Sequence, residues 1–149
     1  MKPLALGSSL LAIVASVVGL TPPATAIGAA YSAKTTQALN LPYYVGQELI
    51  LTQIGLPSGQ WVINYSASPV NGANIDDIVR CYVRARETGQ IFSVHAAEVG
   101  LQAPGAFVST ISGVTLVNLS QPTTVLLICT HDRTGSTPYI DPGAEIVAY

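Results

Sequence analysis

Charge is scarce in this chain: Asp, Glu, Lys and Arg make up 9% of its 149 residues, where about 25% is usual for soluble domains. The one basic cluster, Arg80, Arg84 and Arg86, is flanked by Asp76, Asp77 and Glu87. Binding nucleic acid takes a basic face or stripe, so a nucleic-acid partner is excluded. There are two histidines, His95 and His131, and two cysteines, Cys81 and Cys129, without the Cys/His spacing of a zinc site. No Gly-x-Ser-x-Gly elbow is present, and no glycine-rich phosphate loop. No stretch carries a convincing helical period.

What is there begins with the first residues. Lys2 is the only charge before a run that stays uncharged from Leu4 to Leu20, with Leu10 to Val18 as its apolar heart. Pro22 and Pro23 then end any helix, and Ala24-Thr25-Ala26 supplies small residues at a peptidase exit. A short basic start, an apolar stretch and an Ala-x-Ala exit form the layout of a secretory signal. The run is shorter than the ~20 residues of a membrane span. Residues 1–26 are therefore expected to be cleaved after Ala26, with a cut after Ala30 the alternative. A secreted domain, residues 27–149, would remain, with no membrane association.

Taking 26 of 149 residues leaves 123, the size of one domain. Lys2 goes with the leader, leaving five basic residues against eight acidic. Ser, Thr, Asn, Gln and Gly fill the polar surface, which suits extracellular β proteins and proteins that hide surface by assembling. In an oxidising compartment Cys81 and Cys129 have one intramolecular pairing available. Closing that 48-residue separation would add about 4 kcal/mol on the chain-entropy model. Such a bridge could tie two adjacent strands or two sheets.

The mature part reads as short strands between turns. Residues 27–41 are expected to be extended, in part as an edge strand. A β-rich run from Glu48 to Ile54 precedes Trp61, Ile63, Tyr65 and Ala67, which alternate with Val62, Asn64, Ser66 and Ser68 as strand residues do. Pro69 to Asn74 is turn chemistry. In Ile78 to Arg86, the set Val79, Cys81, Val83 and Ala85 forms one face, and Arg80, Tyr82, Arg84 and Arg86 the other. The first face is expected in the core and the second in water. Ile91 to Val99 follows, then a break at Pro104-Gly105, and Phe107 to Ile111 and Val114 to Leu119 with a break at Ser112-Gly113. Thr123 to Thr130, a polar loop from His131 to Thr137, and a last strand from Ala144 to Tyr149 complete the chain. About eight antiparallel strands with Gly/Pro turns predict an all-β sandwich or barrel.

Four pieces carry a resemblance: Gly59-Gln60-Trp61-Val62-Ile63, Ile78-Val79-Arg80-Cys81-Tyr82-Val83, Thr123-Thr124-Val125-Leu126-Leu127-Ile128-Cys129 and Ala144-Glu145-Ile146-Val147-Ala148. Together, across residues 45–149, they resemble small secreted bacterial jelly-roll domains, many of them uncharacterised. More distantly the order is similar to the C1q/TNF-like jelly roll, whose members commonly trimerise. The chain lacks the collagen-like Gly-x-y stretch that C1q-type proteins often carry. The resemblance implies a jelly-roll β-sandwich. An immunoglobulin-like sandwich is the alternative, but it would want a Trp between its cysteines, and Trp61 precedes both.

No catalytic residues are assigned. His131-Asp132-Arg133 reads as a solvated turn and His95 as a structural histidine. The oxygen-rich loop Asn71 to Asp77 lacks the fixed spacing of a calcium site, so it reads as a turn, and no metal or cofactor is expected. The sequons at Asn64 and Asn118 fall in predicted strands and are expected to be unmodified. The weak candidate for a binding strip is Tyr82 with Arg80 and Arg84, exposed by alternation. The expected role is a non-enzymatic structural or interaction protein with an unidentified protein partner, or copies of itself. The alternative is a carbohydrate- or ligand-binding module, for which an exposed coplanar aromatic row would be the sign.

Overall fold

The computed structural model describes residues 30–100 and 106–149. The expected leader, its cleavage after Ala26 and the break at Pro104-Gly105 lie outside the described residues. Twelve strands and no helix are found among those described: β1 (Tyr31–Lys34), β2 (Leu39–Asn40), β3 (Leu49–Leu56), β4 (Gly59–Ala67), β5 (Pro69–Asn71), β6 (Asp77–Ala85), β7 (Ile91–Val99), β8 (Phe107–Val108), β9 (Ile111–Leu119), β10 (Thr123–His131), β11 (Tyr139–Ile140) and β12 (Glu145–Ala148).

Eight of them build two antiparallel sheets, in the orders β1-β12-β4-β9 and β3-β10-β6-β7. The pairing is nested: β1 with β12, β3 with β10, β4 with β9, and β6 with β7 at the centre. A chain folded back on itself this way and wrapped into two sheets is a jelly roll. The four remaining strands, two or three residues each, form a small sheet in the order β2-β11-β5-β8.

Alternation puts the expected residues inside. Ile63, Tyr65 and Ala67 of β4 meet Val79, Cys81 and Val83 of β6 and Val125, Leu127 and Cys129 of β10 in one buried core, and Ala85 is buried as well. Trp61 stays at the rim, half-buried, packed edge-on against Tyr31 at 5.2 Å and donating to the Pro57 carbonyl at 3.0 Å. Cys81 lies directly opposite Cys129 in register, and the two form a disulfide with Cα atoms 4.1 Å apart. Of the two geometries open to it, the bridge takes adjacent strands of one sheet. That spacing belongs to the close, non-hydrogen-bonded type of antiparallel pair.

Three local expectations are corrected. Ser112-Gly113 does not break the chain: β9 runs through it in unbroken register with β4. Gly113 is there because a Cβ at this position would lie 2.4 Å from His95 Nδ1 and 2.6 Å from Tyr65 Cε1. Pro69 to Asn71 is a short strand rather than part of a turn. His131 is the last residue of β10, not the start of a solvated loop, and it is fully buried.

Candidate functional site

The arginine strip lies on the outer face of β6, but Tyr82 is not exposed. Only 8% of it reaches solvent. The cause is the neighbouring strand: Ile128 stands beside Tyr82 in register and Leu126 beside Arg84, and both are buried. Tyr82, Leu126 and Ile128 thus form a small second core on the outside of the sheet. Val83 is buried as well, so the two faces are assigned as expected and the outer one is covered.

Glu48, just ahead of β3, completes this cover. It accepts from the Tyr82 hydroxyl at 2.6 Å and from two Arg84 nitrogens at 2.6 Å each. The Arg84 guanidinium carbon sits 5.9 Å from the Tyr82 ring centroid. Hydrogen bonds from Arg84 and then Tyr82 hold the Glu48 carboxyl below its ordinary range. Burial, followed by the bond to Glu48, pushes the Tyr82 hydroxyl well up. Arg80 is exposed but pairs with Asp132 at 2.5 Å, and Arg133 pairs with Asp76 at 2.9 Å. A ligand anion at this strip would have to displace an intramolecular carboxylate. Glu48 was illegible as a partner because it reaches the strip from 34 residues away, across β10.

The two histidines are held in different ways. His131 Nδ1 lies 2.8 Å from Asp77 Oδ2, and its Nε2 donates to the Pro42 carbonyl at 2.7 Å. Asp77 Oδ1 accepts from the backbone amides of Ile78, Asp132 and Arg133. The pair is fully buried, and it ties the start of β6 and the end of β10 to the segment at Pro42. Side chains of the Asn71 to Asp77 segment are likewise engaged within the chain. Asp77 is engaged by His131, Asp76 by Arg133, and buried Asn71 by Ile75, Val99 and Ser136. Among the described residues no group of three or more His, Cys, Asp or Glu is placed to hold a metal.

His95 is exposed at the middle of β7, an edge strand. Its Nδ1 lies 2.6 Å from the Tyr65 hydroxyl, which also meets Ser93 Oγ at 3.2 Å. Burial raises the Tyr65 hydroxyl above its usual range. Ser93 Oγ stands 3.5 Å from the same nitrogen, His95 Nδ1. No carboxylate hydrogen-bonds the imidazole among the described residues. This corner is a hollow of about 430 Å³ lined by Asn64, Tyr65, His95, Ser112, Gly113 and Val114.

A groove of about 540 Å³ is open and mostly apolar, with Tyr31, Leu56, Pro57, Pro122 and the Glu87 carboxylate on its walls. Glu87 is turned inward to the Thr124 amide at 3.0 Å. The exposed aromatics Tyr43 and Tyr44 stand at 83° to each other, so they offer no coplanar platform for a sugar. Exposed apolar side chains include Ile50, Ile91 and Val94 on one large sheet, Val114 and Leu116 on the other, and Phe107 and Val108 on the small one.

No protein-family profile and no curated protein sequence matches the chain. Solved structures do. A structure of the Gt strain of infectious bursal disease virus matches with a TM-score of 0.57 and 12% identity, covering 99% of this chain and 37% of the viral one. The VP2 subviral particle of the same virus matches with a TM-score of 0.54 and 12% identity, over 80% of this chain and 32% of that one. Particles derived from that virus match with a TM-score of 0.52 and 16% identity, over 96% and 36%. The chain spans about a third of the length of these viral proteins. At such identities the likeness is one of fold, and it agrees with the jelly-roll strand order.

Proposed function

We propose that this chain is a secreted structural protein, without an enzymatic role, that works by associating with copies of itself. The observation that carries the reading is the jelly-roll strand order, with the likeness of fold to viral proteins whose structures are those of assembled particles. The surface supports it. Its guanidinium groups are largely committed to carboxylates of the same chain, both nitrogens of His131 are engaged, and large apolar side chains stay exposed on both sheets. Such exposed patches mark contact sites. Export rests on the signal-like residues 1–26, and the bacterial and C1q/TNF-like likeness on the four strand pieces.

The test is made on the full chain produced in a secreting host. Intact mass of the released protein reports whether residues 1–26 are gone. Light scattering on a sizing column then gives the mass of the particle in solution. The reading expects a leaderless chain with Cys81 and Cys129 oxidised, and a mass of two or more chains. A monomer at every concentration would overturn the assembly role, and a retained leader would overturn export.

A further inference from the structure

The four edges of the two large sheets are not equally protected. A free edge presents unpaired N–H and C=O groups, which proteins shield with short strands, bulges, prolines or charges, lysine above all. Strand β1 has four residues and ends in Lys34. Strand β3 carries an extra residue, Leu51, against β10. Strand β7 carries an extra residue, Phe92, against β6, and bears Glu98. Among the described residues strand β9 has none of these devices; β7 of the other sheet packs beside it, with the Thr115 hydroxyl donating to the Phe92 carbonyl at 3.3 Å. Its nine residues, Ile111 to Leu119, pair with β4 on one side without a register shift and contain no charge and no proline. Val114 and Leu116 on it are 64% and 71% exposed.

We infer that β9 is a docking edge for β9 of a second copy, paired antiparallel about Thr115 so that two four-stranded sheets join into one of eight. The inference rests on the self-association reading above and names its contact. A strand is the partner that satisfies a row of free backbone groups, which a sugar or a lipid does not. Self-pairing fits the sequence of β9 because no charge of either sign lies on it. About Thr115, Val114 of one copy meets Leu116 of the other, and Ser112 meets Asn118. Cross-strand pairs of this kind, apolar with apolar and polar with polar, are the unit of sheet stability. Such a contact is isologous and closes on itself as a two-fold pair.

The experiment compares the secreted chain with Leu116→Lys and Ile50→Lys by sedimentation and light scattering at matched concentration. Both side chains are exposed, so both variants keep the core. A third readout, amide hydrogen exchange across β9 at low and high concentration, needs no variant. The inference expects an even number of chains in the parent and at least a twofold fall in mass for Leu116→Lys. Ile50→Lys should leave the mass unchanged, and β9 amides should gain protection with concentration. An assembled parent whose mass survives Leu116→Lys overturns the β9 contact and leaves the self-association reading standing. A mass of three chains overturns the two-fold pairing in the same way. A monomeric parent overturns both.

Discussion

Asp77→Ala removes the acceptor at a buried hub. The carboxylate takes hydrogen bonds from the amides of Ile78 at 2.7 Å, Arg133 at 3.0 Å and Asp132 at 3.1 Å, and it meets His131 Nδ1 at 2.8 Å. Without it the Asp132 amide keeps the Ile78 carbonyl at 3.1 Å, but the Arg133 amide and the imidazole lose their partner. A stranded buried donor costs about 1–3 kcal/mol, and removing one member of a buried pair costs about 3–5 kcal/mol. The expected loss is about 4 kcal/mol, a large part of the roughly 5–15 kcal/mol that holds a small domain. Asp77→Asn is the matched control. It keeps one oxygen for the amides and turns an NH2 toward the ring, which can meet it with the lone pair at Nδ1 while Nε2 still donates to Pro42. Its loss should be about 1–2 kcal/mol. Guanidinium unfolding with the disulfide intact measures both, read as midpoint shifts at unchanged slope. A loss under about 1 kcal/mol for Asp77→Ala, or equal losses for the two variants, would refute the hub.

Gly113→Ala places a methyl where His95 and Tyr65 meet across β9. Overpacking of this kind costs about 1–3 kcal/mol, read in the same unfolding assay, and a neutral result would mean the corner repacks freely. The Glu48 carboxyl is held below its ordinary value of 4.5 by Arg84 and Tyr82. Its contribution is therefore complete above about pH 4.5 and vanishes as pH falls through the lower folded value. The stability gap between the parent and Glu48→Gln should accordingly be constant near neutrality and close in acid. With 39% of its side chain exposed, the gap should stay below about 1 kcal/mol; a gap that persists at pH 2 would contradict the pairing.

The sequence by itself determined which residues face inward. Period-two alternation is a local property, so Val79, Cys81, Val83 and Ala85 could be assigned to the core, and Cys81 with Cys129 to one bridge, before any partner strand was known. The all-β class followed from the same pattern, and the jelly roll from its likeness to known strand pieces. Only the tertiary structure decided which outward faces stay wet. Tyr82 is covered because Ile128 and Leu126 stand beside it in a neighbouring strand and Glu48 reaches it from another. His131 is buried because Asp77 and Pro42, 54 and 89 residues away in sequence, converge on its two nitrogens. Gly113, which reads locally as a chain break, is a strand residue whose missing side chain makes room for a contact between sheets. The same holds for β9: its lack of charge is plain in the sequence, but its place at a free edge depends on strand order. Strand order is set by burial of whole faces against one another, over separations that local periodicity does not encode.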